Sequence, residues 1–130
     1  MKPRRFNFPE DLNQLNRFCE SRAMPCYTRD SLPQAGVIVD DLACGFLYQT
    51  DSSVAFIESI VTPKTNDANR VKALDMVCAE LVDIAKALGY KNVIAITNSN
   101  SMVQRAVNQF NFKDLGTYHV LNLSNDSKAG

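Results

Sequence analysis

One passage limits what this chain can fold into more than any other: Val54-Ala-Phe-Ile-Glu-Ser-Ile-Val61, then Thr62-Pro63, a polar loop, and Arg70-Val-Lys-Ala-Leu-Asp-Met-Val77. A short apolar run rich in β-branched residues reads as a buried strand, and the later stretch has the spacing of an amphipathic helix. The loop between them can face a phosphate. Where a strand delivers its last backbone groups toward a helix N-terminus, unpaired N–H groups and the positive end of the helix dipole converge on one spot. Chemistry is expected at this junction.

Other elements follow from period and punctuation. Pro9 opens a helix over residues 9–21, with Glu10 and Asp11 in its first turn and Leu12, Leu15, Phe18 and Cys19 at helical spacing. Residues 22–34 contain Pro25 and Pro33 and read as loop or broken helix, with Tyr27 and Arg29 placed to border a substrate cleft. From Gly36 the pattern becomes strand, turn, strand, turn, strand over residues 36–39, 43–49 and 54–61, an antiparallel meander. A long helix then runs from Asp67 or Asn69 to Leu88. Its apolar face is Val71, Leu74, Cys78, Leu81, Ile84, Ala85 and Leu88, and Gly89 stops it.

Residues 92–97 form a continuously apolar run, the pattern of a strand covered on both faces. Ser99 is placed to cap a further helix that carries Met102, Val103, Ala106, Val107 and Phe110. Phe112 and residues 118–123 are expected to supply closing strands. Residues 1–124 read as a single α/β domain with a mixed sheet, and residues 125–130 as a polar tail that frays.

Composition removes several function classes. Fourteen basic and fourteen acidic side chains give a net charge of zero, against a strong general attraction to nucleic acid. Cys19, Cys26, Cys44 and Cys78 form no Cys-x-x-Cys pair, so neither a zinc ribbon nor a redox motif is indicated, and free thiols in a reducing cytosol fit best. No apolar segment has signal-peptide or membrane-spanning length, so a cytoplasmic protein without membrane attachment is expected. With His119 the sole histidine, two-histidine metal motifs are excluded, and no metal cofactor is expected.

The order helix, three-strand meander, long helix, strand, helix, terminal strands resembles the GNAT superfamily, the Gcn5-related N-acetyltransferases. Val61-Thr62-Pro63 and Lys72-Ala73-Leu74 stand where that family flanks its coenzyme loop. Leu88-Gly-Tyr-Lys91, the run 93–97, Asn100 and Phe110-Asn-Phe-Lys113 resemble its second half, so the likeness covers residues 36–123. It implies a GNAT-like fold with a splayed parallel strand pair, acetyl-CoA as acyl donor and an amine as acceptor. By the same resemblance Glu58 is the general base, the backbone of Ser59, Ile60 and Val61 polarises the thioester, and Asn66, Asp67, Ala68, Asn69, Arg70 and Val71 hold the pyrophosphate. Asn100 would bond the pantetheine arm. Family members often dimerise through terminal strands, which keeps a homodimer among the expected partners.

The coenzyme loop departs from the family pattern. Asn66 stands where Arg or Gln is usual, Asn69 at the first glycine and Val71 at the second small residue. A Cβ at either position holds a phosphate off the backbone amides, although Asn tolerates left-handed backbone. Val107 stands where many members carry the tyrosine that protonates the departing thiolate, leaving Tyr48 or Tyr118 as substitutes. Ile57-Glu58 and the run Thr97-Asn98-Ser99-Asn100-Ser101 are similar to GNAT-like proteins of tailed phages. That likeness implies an alternative, a catalytically inactive module binding a host or virion protein.

Several residues admit two roles. Glu58, in an apolar strand, either faces a polar cleft as a base or pairs with Arg70 or Lys72, because an unpaired buried carboxylate is costly. Lys64, Arg70 and Lys72 either neutralise coenzyme phosphates or form the solvated start of a helix. Asn100 either bonds the coenzyme or turns the chain beside Ser99. A thiol enzyme is a third possibility, without an adjacent histidine to support it.

Overall fold

The computed structural model describes residues 1–125, so all but Asn125 of the expected tail lies outside the described residues. The chain forms two compact units, Met1–Asn98 and Ser99–Gly130.

The first unit contains β1 (Pro3–Arg5), α1 (Glu10–Ser21), a 3₁₀ turn (Arg29–Ser31), β2 (Gly36–Val39), β3 (Ala43–Tyr48), β4 (Val54–Val61), α2 (Arg70–Ala87) and β5 (Asn92–Ala95). The sheet order is β1-β2-β3-β4-β5. Neighbours are antiparallel as far as β4, while β4 and β5 are parallel. A parallel pair needs a crossover connection, and α2 supplies it.

Both faces of the sheet are covered, and period-two alternation sorts the strand residues between them. On one face Ala73, Val77, Leu81 and Ile84 of α2 meet Val37, Val39, Leu47 and Ile57. On the other, Leu15, Phe18 and Cys19 of α1 meet Ile38, Cys44, Phe46 and Val61. Fully buried side chains such as Leu15, Phe46 and Leu81 each contribute about 1.5–3 kcal/mol through removal from water.

The buried face of α2 is rotated from the expected one. Ala73 and Val77 are buried, whereas Val71 is 41% and Leu88 53% exposed. Gly45 explains the rotation. A Cβ there would lie 2.9 Å from Val77 Cγ1 and 3.2 Å from Leu81 Cδ1, so its absence admits this side of the helix. The expected stop at Gly89 is observed: it takes φ 88°, Gly89 N–H donates to Lys86 O and Tyr90 N–H to Ala85 O, which together satisfy the last carbonyls. The Tyr90 hydroxyl then donates to Thr50 O at 2.9 Å and pins the β3–β4 turn.

β1 was not anticipated, and β5 ends at Ala95 rather than at residue 97. β5 is also only partly covered, with Ala95 exposed, so the expectation of a strand buried on both faces is corrected. In the second unit, α3 (Asn100–Phe110) begins as expected, with Ser99 Oγ accepting from Met102 N–H at 3.3 Å. Asn111 ends it at φ 60°. The closing strands expected at Phe112 and residues 118–123 are not formed. Residues 111–125 carry no strand, and Val120, Leu121 and Leu123 are 83%, 90% and 88% exposed. Strand-like side chains do not make a strand until their backbone groups find a ladder partner.

Candidate functional site

The site is made by an irregularity in β4. Phe46 pairs with Glu58 but Cys44 pairs with Val61, so Ser59 and Ile60 together oppose Gly45 and the strand bulges. Ser59 sits at φ 55°, a conformation L residues other than Asn and Asp seldom adopt. Gly45 makes room for the bulge as well as for α2, since a Cβ would approach Ile60 Cγ1 to 3.1 Å. Backbone strain of this kind costs on the order of 1–3 kcal/mol and is characteristic of working sites.

The opposite edge of the strand opens at the same level. β4 and β5 pair from Val54↔Asn92 to Ile57↔Ala95, followed by one long bond from Ile96 N–H to Ile57 O at 3.4 Å. Beyond it β4 continues through Glu58, Ser59, Ile60 and Val61 with no β5 residue in register. The expected parallel pair that parts at its C-terminal ends is present.

Glu58 is half-buried and lies on the α1 face, opposite Phe46. Among the described residues its carboxylate makes no hydrogen bond or ion pair. Neither Arg70 nor Lys72 lies within ion-pair distance of it. The expected ion pair of Glu58 with Arg70 or Lys72 is therefore not formed. Beside it, Tyr48 Oη lies 2.8 Å from Ser59 Oγ. Burial pushes the Tyr48 phenol above its ordinary pKa; the Ser59 hydrogen bond opposes the shift, and Tyr27 and Glu58 add to it. The phenol stays protonated through neutral and mildly alkaline pH. Tyr118, the other candidate acid, lies in the second unit and is 69% exposed.

The loop closes on itself around Asp67. Its carboxylate accepts from Asn69 N–H at 2.8 Å and its carbonyl from Arg70 N–H at 3.2 Å, while Thr65 Oγ1 accepts from Asp67 N–H. Asn69 has φ −84° and no side-chain capping bond, so the left-handed backbone that would favour Asn or Gly there is not used. Asn66, Asp67, Ala68, Asn69 and Val71 are exposed and Arg70 is half-buried. The first turn of α2 holds Arg70 and Lys72 and no acid, an arrangement that attracts an anion. The Asp67 carboxylate thus occupies the Asn69 N–H, a contact that its place in the loop sequence does not reveal.

The remaining candidates fall elsewhere. Asn100 starts α3 of the second unit, and His119 lies in its strandless stretch. Arg29 borders a surface cavity of about 690 Å³ with Phe6, Phe8, Asp30 and Gln34. Its guanidinium stands 5.1 Å from the Phe8 ring centroid, whereas Tyr27 packs on the α1-side core. Cys19 and Cys44 are buried, and burial pushes both thiols above their ordinary pKa, opposite to what a thiolate nucleophile needs. Among the described residues no group of three His, Cys, Asp or Glu side chains comes together, and no helix is long and apolar enough to cross a membrane.

No family model and no curated protein sequence matches the chain. Solved structures do. A protein of Agrobacterium tumefaciens assigned as an acetyltransferase superposes with a TM-score of 0.69 at 15% identity, over 95% of this chain and 100% of that one. Rv2747 of Mycobacterium tuberculosis, solved with CoA, gives 0.67 at 13% identity, over 82% of this chain and 70% of that one. An acetyltransferase of Trypanosoma brucei gives 0.66 at 14% identity, over 94% and 99%. The fold is that of the GNAT acetyltransferases: a mixed five-stranded sheet with three helices.

Proposed function

We propose that the chain is an acyl-CoA-dependent N-acyltransferase whose reaction takes place at the β4 bulge. The observation that carries this reading is the convergence, within two strands, of a half-buried carboxylate without a partner, a protonated phenol and an open strand edge. Acetyl-CoA, when bound, supplies an activated acyl thioester. Glu58 accepts the proton of the attacking amine, directly or through water. Backbone N–H groups of the bulge, at Ser59 and Ile60, would stabilise the developing oxyanion, whereas Val61, the third residue expected there, is held against Cys44. As the carbon–nitrogen bond forms and the carbon–sulfur bond breaks, Tyr48 gives its proton to the leaving sulfur, the task left vacant by Val107.

The open edge suits the acyl end of the donor. The phosphate end meets Arg70 and Lys72 but also the Asp67 carboxylate, and Asn69 and Val71 carry side chains where bare backbone serves best. Weak coenzyme binding follows. The same loop favours a second reading, a GNAT-fold module without turnover that binds a host or virion protein, as the similarity to tailed-phage proteins implies. Either protein would work in the cytoplasm.

Incubation with acetyl-CoA and a panel of primary amines, with free thiol followed over time, separates the two. Amine-dependent thiol release that disappears in Glu58→Gln supports the enzyme. Thiol release no faster than without protein, across the panel, supports the binding module.

A further inference from the structure

We propose that Ser21 and Arg22, at the C-terminal end of α1, are positioning residues that hold the strand-to-helix loop in shape to receive the phosphates of the donor; this rests on the acyl-CoA reading above. α1 closes tightly because Ala23 takes φ 53°, which lets Met24 N–H reach back to Cys19 O at 2.9 Å. The last residues of the helix are thereby presented to the chain leaving β4. Arg22 donates from Nε to Thr62 O at 2.5 Å, and from Nη2 to Thr62 Oγ1 at 2.9 Å and Pro63 O at 3.3 Å. Ser21 Oγ accepts from Lys64 N–H at 3.0 Å and donates to Phe18 O at 2.6 Å.

Three consecutive loop residues are thus bound by two consecutive residues at the C-terminal end of α1, Ser21 and the capping Arg22. The β3–β4 ladder ends at Val61, so these backbone groups would otherwise have only water as partner. A planar guanidinium can serve two carbonyls and a hydroxyl together, which an ammonium on a flexible stem does poorly. Through residues 65–69 the hydrogen bonds among the described residues are local: Asp67 N–H donates to Thr65 Oγ1, Asn69 N–H to the Asp67 carboxylate, and Arg70 and Ala73 N–H of α2 to the carbonyls of Asp67 and Asn69. The clamp at residues 62–64 therefore ties the β4 end of the loop to the body of the fold, while α2 holds the other end. A loop already anchored loses less freedom when an anion orders it, and that difference appears as affinity.

The test compares CoA with pantetheine, which shares the thiol arm but lacks the phosphates, by calorimetric titration of the full chain. Arg22→Ala is expected to weaken CoA binding roughly tenfold, about 1.4 kcal/mol, to leave pantetheine unchanged, and to be partly rescued in Arg22→Lys. Equal loss of both ligands, or loss of neither, overturns the positioning role. Hydrogen exchange on the ligand-free protein checks the clamp separately: amides of residues 64–69 exchange faster in Arg22→Ala while β4 keeps its protection, and unchanged exchange overturns it. If Arg22→Ala does not fold, Ser21→Ala removes the Lys64 anchor alone and carries the same expectations at smaller size. Failure of the unsubstituted protein to bind CoA overturns the acyl-CoA reading and the phosphate role together, and the exchange result still decides whether the clamp exists.

Discussion

The phenol of Tyr48 on β3 lies 2.8 Å from the hydroxyl of Ser59, the residue at which β4 bulges with φ 55°. This contact places a phenol at the level where β5 stops pairing. Tyr48→Phe is expected to lower turnover about 100-fold, the lower end of what general acid catalysis contributes. Its cost in stability is expected near 1 kcal/mol, one neutral hydrogen bond. Because the acid must be protonated and its pKa is raised, the alkaline limb of the wild-type rate profile should lie above the ordinary tyrosine value near 10. A limb below that value would remove Tyr48 from the role.

Glu58 is the complementary case. With no ion pair to break, Glu58→Gln should leave the thermal midpoint close to the wild-type value, a change of about 0.5 kcal/mol or less, while turnover falls about 100-fold or more. A loss of several kcal/mol with unaltered turnover would return Glu58 to a structural role.

Asp67 sets an electrostatic limit on the loop. Asp67→Ser keeps an oxygen able to accept from Asn69 N–H and removes the negative charge beside the start of α2. Charges at a helix terminus contribute about 0.3–1 kcal/mol each at low ionic strength, so CoA affinity should rise about two- to fivefold and the gain should shrink with salt. Affinity that falls, measured at two ionic strengths, would show that the carboxylate does not compete with phosphate.

Stability has its own pH dependence. Asp11 is 4% exposed; it accepts from both terminal nitrogens of Arg4 at 2.7 and 2.8 Å and from Asn7 N–H at 2.7 Å. The Arg4 hydrogen bond holds the Asp11 carboxyl below its ordinary pKa against the opposing effect of burial. A lowered folded pKa gives stability that is present above the unfolded value, near 3.9, and lost as pH falls through the folded value. Asp11→Asn should cost about 1–3 kcal/mol at pH 7, less than a fully buried pair because the Arg4 side chain is 51% exposed. Denaturant unfolding at pH 7 and pH 3 should show the gap between wild type and variant narrowing at the acid end.

The legible parts of the fold were those whose cause is local. β2 and β4 stand where the apolar runs placed them, and Gly89 and Ser99 cap the helices they were expected to cap. Pro3–Arg5 gave no signal, because a basic triplet with a proline has no strand pattern; β2 and Asp11 hold it in place from elsewhere in the chain. The reverse error arose at residues 118–123, where the pattern is strand-like but no ladder forms. At the site, Glu58 stood out as a charge in an apolar run. Its lack of a partner, the bulge at Ser59 and the hydrogen bond to Tyr48 depend on the β3–β4 register, and Gly45 was the one sequence trace of that register.

The central claim, that donor binding and transfer occur along the open edge of β4, is tested most directly by titrating acetyl-CoA into the isotopically labelled chain and following backbone amide resonances. The expected result is weak but saturable binding, with shifts concentrated at residues 58–61 and 66–71. Saturable shifts confined to other residues, such as Phe6, Phe8 and Arg29 around the surface cavity, would contradict it, as would no shift at any concentration of acetyl-CoA that can be reached.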